Sequence, residues 1–158
     1  MHYFAYGSNL DPEQMAERCP SAAFLHRALL EDFELAFTRW STRRRCGVAD
    51  VVARPGSRVW GVVYALSEDE GRTLDGFEGY APGRADNWYA RVEQTVAIDG
   101  DPTRPLAVAT YEVVERAHEP YAPSGAYLGH LLRGAAHWGL PDGYRERLRA
   151  IATAEDAA

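Results

Sequence analysis

The spacing of hydrophobic and polar positions predicts a mixed α and β chain. An apolar run, Tyr3-Phe4-Ala5-Tyr6, reads as a buried strand starting almost at the first residue. It stops at Gly7-Ser8-Asn9, residue types that tolerate unusual dihedrals and let backbone approach a ligand closely. A helix start follows, with Asp11 as N-cap, Pro12 at the first helical position and Gln14 placed for a capping box. Two strands are expected over residues 22–29 and 33–38, joined at Glu31-Asp32; in the second, Phe33, Leu35 and Phe37 alternate with Glu34 and Ala36. The basic stretch 39–47 reads as a loop. Residues 48–53 and 59–66 read as strands with Pro55-Gly56-Ser57 as their hairpin connection. Ser67-Glu68-Asp69-Glu70 opens a short helix that carries Leu74 and ends among Gly76, Phe77, Glu78 and Gly79. After a loop at 82–87, residues 88–98 and 106–114 form a strand pair. Helical spacing at Tyr127, Leu128, Leu131, Leu132 and Ala135 then predicts a helix over 124–138, and a last short helix runs over 142–151.

Length adds a boundary. With 158 residues, a single domain over 1–152 is the simplest organisation, with 153–158 as a frayed tail. No apolar run nears the roughly 20 residues that span a bilayer and no leader precedes Tyr3, so a cytoplasmic protein with no membrane partner is expected. The net charge of −6 argues against a nucleic-acid partner. All 17 basic residues are arginine, which beside the abundant alanine reads as a compositional habit rather than a site. Cys19 and Cys46 read as reduced thiols.

Three groups of residues are candidates for chemistry. The strand, tight loop and helix start at the N-terminus would aim free N–H groups at one spot, which suits a carboxylate; a turn with no ligand would look the same. Glu78 lies at a helix end between Gly76 and Gly79, beside Phe77 and Tyr80. Aromatic surroundings and the negative helix end would raise its pKa toward values useful in proton transfer, although most helix-end glutamates are simply solvated. Tyr6, Tyr89, Tyr111 and Tyr127 fall on core elements, where interior packing with a satisfied hydroxyl is the ordinary role. His130 and His137 lie seven apart, not at the four-residue spacing of helical zinc motifs, so no metal is expected. Ser8 lacks a nucleophile-elbow context. The run Arg43-Arg44-Arg45 reads chiefly as a solvated loop, with the alternative that one arginine reaches a cavity and favours an acidic leaving group.

Taken together, the motifs resemble the γ-glutamylcyclotransferase family. Tyr3-Phe4-Ala5-Tyr6-Gly7-Ser8-Asn9-Leu10 is similar to its opening signature, and Leu74-Asp75-Gly76-Phe77-Glu78-Gly79 to its segment with the catalytic glutamate. Asp32-Phe33-Glu34-Leu35, Gly47-Val48-Ala49-Asp50, Val59-Trp60-Gly61-Val62-Val63-Tyr64 and Gly139-Leu140-Pro141 continue the resemblance in order. It implies an α+β fold, a small mixed β-barrel packed by short helices. It also implies cyclisation of a γ-glutamyl group to 5-oxoproline with release of the attached amine, without cofactor or metal. By that resemblance Glu78 is the proton acceptor. Tyr3, Phe4, Ala5, Tyr6, Gly7, Ser8 and Asn9 form the substrate-binding loop, Tyr127 contacts substrate, and Tyr89 and Tyr111 stand beside the cavity. The partner is then a small-molecule γ-glutamyl substrate, and a homodimer is compatible. Two alternatives stay open: a cyclotransferase for γ-glutamyl amines or a γ-glutamylated natural product, and an inactive binding module of the same fold. Arg43-Arg44-Arg45 departs from a more neutral, glycine-containing stretch.

Overall fold

The computed structural model describes residues 1–156. Five strands, β1 (His2–Ala5), β2 (Ala23–Ser41), β3 (Cys46–Ala65), β4 (Tyr89–Ile98) and β5 (Pro105–Val113), close into a barrel in the order β1-β3-β2-β4-β5. All pairings are antiparallel except β1 with β5, where Tyr3 meets Ala109 in parallel and shuts the barrel. The closing contacts are short: β2 meets β4 at Ala28–Ile98 and Leu29–Ala97, and β1 meets β5 at Tyr3–Ala109. Four helices pack around it: α1 (Pro12–Arg18), α2 (Glu68–Phe77), α3 (Gly125–His137) and α4 (Asp142–Arg149). The mixed barrel with short helices is the expected fold class.

Several boundaries differ from the sequence reading, each for a local reason. Residues 22–29 and 33–38 are one continuous strand, β2, kinked at Asp32, whose φ is 63°. Pro55-Gly56-Ser57 makes no hairpin connection and runs inside β3; Asp32 Oδ1 accepts from the Gly56 N–H at 2.9 Å, fastening the bulge in one strand to the bend in the other. The basic stretch is a loop only from Thr42 to Arg45, since Ser41 pairs with Cys46 and Arg39 with Val48. Gln14 closes no capping box. Asp11 does cap α1, accepting from the Glu13 N–H at 3.0 Å, but the Gln14 side chain turns back to Ser8 and Asn9. Residues 153–156 are tied down rather than frayed: Ala154 N–H donates to Pro123 O, and Glu155 accepts from the Gly125 N–H. Residues 157–158 lie outside the described part.

Two close approaches position the N-terminal loop. A Cβ on Gly61 would sit 2.3 Å from Ala5 O, so β1 can lie against β3 there only over glycine. A Cβ on Gly134 would sit 2.2 Å from Leu10 O, so α3 presses directly on the 3-10 turn Ser8–Leu10 that follows β1. Trp138 Nε1 fixes the same carbonyl with a 3.0 Å hydrogen bond. Below the turn, Leu10, Met15, Leu131 and Leu140 form a buried layer that anchors loop and helices together.

Candidate active site

A cavity of about 850 Å³ opens beside the 3-10 turn and takes lining residues from all five strands. Tyr3, Arg39, Ala49, Tyr89 and Tyr111 come from β1 to β5 in turn, while Glu78 closes α2 and Tyr127 enters from α3. Of the predicted loop residues, Tyr3, Tyr6, Gly7, Ser8 and Asn9 line the cavity. Phe4 and Ala5 do not: both are fully buried in the core and pair with Val63 and Val62 of β3, and the Phe4 carbonyl also accepts from Thr110 Oγ1 at 2.9 Å.

Glu78 is the C-cap of α2. Its side chain keeps 16% exposure and lines the cavity. Burial pushes its carboxyl above the usual range; Arg18, Arg44, the Asn9 hydrogen bond and Arg39 pull it partly back. Of the two expected aromatic neighbours, Phe77 lines the cavity and Tyr80 does not. The Phe77 ring is exposed and carries the Arg18 guanidinium at 4.7 Å.

Asn9 holds the carboxylate in place. Its Nδ2 donates to Glu78 Oε1 at 3.2 Å and to the Tyr3 hydroxyl at 3.0 Å. The amide is oriented from its other end, where Oδ1 accepts from Gln14 Nε2 at 2.9 Å and Arg18 Nη1 at 3.2 Å. Gln14 also donates to Ser8 Oγ at 2.8 Å and accepts from Arg44 Nη2 at 2.9 Å. Sequence reading missed Gln14, Arg18 and Arg44 in this network. A signal existed for the first two: on a helix capped at Asp11, positions 14 and 18 are one turn apart on one face.

The 3-10 turn spends the Leu10 N–H on Gly7 O at 3.0 Å and the Asp11 N–H on Ser8 O at 3.1 Å. The N–H groups of Gly7, Ser8 and Asn9 have no acceptor among the described residues. Two phenols of the lining close on the backbone of one residue, Ala49. Tyr89 donates to Ala49 O at 2.7 Å, and Tyr127 accepts from the Ala49 N–H at 3.0 Å. That acceptance leaves the Tyr127 hydroxyl proton free, and burial pushes its pKa to about 12, so the phenol stays a donor. Tyr6 donates to Tyr111 O at 2.5 Å. Tyr111 in turn donates to Asp75, which is buried and paired with Arg91 at 3.0 Å, so Asp75 is a structural carboxylate behind the wall.

Other candidates fall away from the chemistry. Ser8 Oγ is held by Gln14 and Arg44 with no imidazole or carboxylate bonded to it. Cys19 and Cys46 are buried and unpaired with each other, and burial pushes the Cys19 thiol to about 11. His130 sits on Asp11 at 2.7 Å, supporting the α1 cap. Among the described residues no group of three His, Cys, Asp or Glu side chains is arranged to hold a metal, and no helix is long and apolar enough to cross a membrane.

A cavity lined by one desolvated carboxylate and by residues that carry unbonded N–H and O–H groups is suited to general acid–base chemistry on a small molecule. The chain belongs to the γ-glutamyl cyclotransferase, AIG2-like family, whose model matches residues 3–129. It is 36% identical over 153 residues to a γ-glutamylcyclotransferase of Homo sapiens, covering 94% of this chain and 77% of the human one. The Mus musculus γ-glutamylcyclotransferase is 35% identical over the same shares. A solved γ-glutamyl cyclotransferase structure superposes with a TM-score of 0.87 at 34% identity, over 97% of this chain and 88% of that one.

Proposed function

We propose that this chain is a γ-glutamyl cyclotransferase with Glu78 as its proton-transfer group. The observation that carries the reading is the Glu78 carboxylate, raised by burial and fixed by Asn9 beside three unbonded N–H groups. The substrate supplies its own nucleophile. Its α-nitrogen attacks the γ-carbonyl carbon, a new C–N bond closes the five-membered lactam, and the C–N bond to the leaving amine breaks. The α-ammonium first gives one proton to solvent; Glu78 then takes the proton that the neutral attacking nitrogen loses as the C–N bond forms and returns it to the departing one, so 5-oxoproline and a neutral amine leave, and the amine regains a proton from solvent. Holding the glutamyl chain folded contributes roughly 7–11 kcal/mol to lowering the barrier through effective molarity.

The cavity walls divide the remaining tasks. The free N–H groups of Gly7, Ser8 and Asn9 receive the α-carboxylate or the tetrahedral oxyanion, with the Tyr127 hydroxyl as a further donor. Leu10 is excluded from this role, because its N–H is already spent on Gly7. Tyr3, whose phenol burial and the nearby Glu78 hold neutral, shares the Asn9 amide with the Glu78 carboxylate. The test is release of 5-oxoproline from γ-glutamyl-alanine by wild type and by Glu78→Gln. The substitution should fold and lose on the order of 10²–10⁴ in kcat, the usual range for general acid–base catalysis. Retention of more than about a tenth of the wild-type rate would sink the assignment of Glu78. Asp75→Asn is a poor control, because that carboxylate anchors Arg91 and Tyr111 and its loss should act through stability.

Reading of the α-carboxylate is tested on the substrate side. Capping it as the amide should weaken the donor by about 1.5–3 kcal/mol, the scale of a charge-assisted hydrogen bond. Equal kcat/KM for acid and amide would move the carboxylate away from the turn.

A further inference from the structure

Arginine usage at the cavity differs from that in the rest of the chain. Of the 17 arginines, eleven form ion pairs with Asp or Glu. The six without such a partner among the described residues are Arg39, Arg43, Arg44, Arg45, Arg147 and Arg149, and the first three line the cavity. Surface arginines here find carboxylates readily, so three in one cavity without one need a different explanation. The expectation of a merely solvated run survives for Arg45, which is exposed and lines nothing.

Two of the three are held ready for a planar anion. Arg39 lies over the Trp88 ring at 4.4 Å and Arg44 over the Tyr127 ring at 5.0 Å. A ring face fixes the guanidinium plane and leaves N–H edges free, the geometry in which arginine grips a carboxylate with two parallel bonds. Arg44 uses one nitrogen on Gln14. The guanidinium groups of Arg39 and Arg43 make no hydrogen bond to a described side chain or carbonyl. Arg43 and Trp88 are both exposed, which puts this group at the cavity mouth, the side from which a leaving group departs.

Charge matching narrows the ligand. The cavity is lined by Arg18, Arg39, Arg43 and Arg44 against Glu17 and Glu78, which leaves two positive charges. A γ-glutamyl amine brings one carboxylate and one ammonium and is neutral. A γ-glutamyl dipeptide with a neutral second residue carries one negative charge. A dipeptide whose second residue is itself dicarboxylic carries two, and only that class balances the cavity. We propose that Arg39 and Arg43, with Arg44 behind them, select a leaving amino acid bearing a side-chain carboxylate. This rests on the cyclotransferase reading for which end of the donor reacts, but not for the binding preference itself.

The isosteric donors γ-glutamyl-glutamate and γ-glutamyl-glutamine differ at the mouth by one charge and test the idea directly. Wild-type protein should prefer the acid on the order of 10-fold in kcat/KM, and calorimetric Kd should show the same order of preference. R39Q combined with R43Q should bring both ratios close to one, while R45Q keeps the wild-type ratios and serves as the charge control. A wild-type Kd ratio at or below one overturns the proposal, whether or not the double variant folds. So does an equal collapse in R45Q, which would make the effect one of net charge rather than of the cavity. If no donor releases 5-oxoproline, the assigned reaction fails, yet the Kd ratio still decides the preference. Turnover of every donor without preference removes this inference alone.

Discussion

At the scale of single residues, the site turns on a carboxylate kept in an unfavourable place. Burial raises the folded-state pKa of Glu78 above its unfolded value, so folding favours its protonated form. The linkage sign follows. Above the unfolded pKa the charged group costs stability, and that cost vanishes as pH falls and the carboxyl is protonated in both states. Arg18 and Arg44 offset part of the cost without removing the net upward shift. Glu78→Gln should therefore raise Tm by roughly 1–3 °C near pH 8, with the gain shrinking toward pH 4. A lowered Tm at pH 8 would mean that the arginines outweigh burial and that Glu78 is a structural ion-pair member. A gain with lost turnover is the pattern of a residue retained for chemistry. Glu78 itself was legible in the sequence because its helix carries a Ser67 cap and ends in glycines, which places it at an element end. The arginines that temper it were not legible, since Arg18, Arg39 and Arg44 converge from α1, β2 and the β2–β3 turn only when the barrel closes.

Among elements, the strands and helices read from periodicity exist, but their joints were misread where a breaker residue was absorbed by pairing. Asp32 and Pro55-Gly56-Ser57 carry turn chemistry, yet each strand continues because the partner bends at the same level and a side chain closes the gap. Local pattern holds no information about such a coincidence. Nor does it reveal that α3 must touch the 3-10 turn Ser8–Leu10. Gly134 reads as a small residue in a helix, and only the 2.2 Å approach to Leu10 O shows what it is for. Gly134→Ala should gain helix propensity and still destabilise, because overpacking costs typically about 1–3 kcal/mol and the neighbour is backbone. It should also raise KM for γ-glutamyl donors by shifting Ser8 and Asn9; an unchanged KM with a raised Tm would show that the turn yields freely. A second element-level joint is Asp50, fully buried on β3, which accepts from Thr38 on β2, the Val113 N–H on β5 and Arg116 Nε. Asp50→Ala leaves the buried Thr38 hydroxyl and Val113 N–H without their acceptor, while Arg116 keeps Glu112 and the Val51 carbonyl, so a loss of about 1–3 kcal/mol in denaturant unfolding is expected. A loss below about 1 kcal/mol would mean that barrel closure does not depend on this carboxylate.

For the whole molecule, two charge distributions of opposite sign compete for an anionic donor. The chain carries −6, and removing the two positive charges of the cavity leaves −8 on everything else. A chain of this length has a radius of gyration of roughly 15 Å, so most of that charge lies about 20 Å from the mouth, where each unit contributes about 0.2 kcal/mol in water. The cavity arginines act from about 6 Å, at about 0.7 kcal/mol per unit. Without salt, the many distant charges and the few near ones roughly cancel. Salt breaks the tie, because a Debye length of about 10 Å at 0.1 M suppresses the distant repulsion several-fold while sparing more than half of the near attraction. At 1 M, with a Debye length of about 3 Å, both are screened. kcat/KM for an acidic γ-glutamyl donor should therefore pass through a maximum near about 0.1 M salt, whereas a neutral γ-glutamyl amine should vary less than about twofold over the same range. A monotonic fall from the lowest salt would show that the global charge never matters and the cavity field dominates throughout. A monotonic rise would show the reverse: the mouth arginines then hold no anion, and donor capture is limited by repulsion from the protein as a whole.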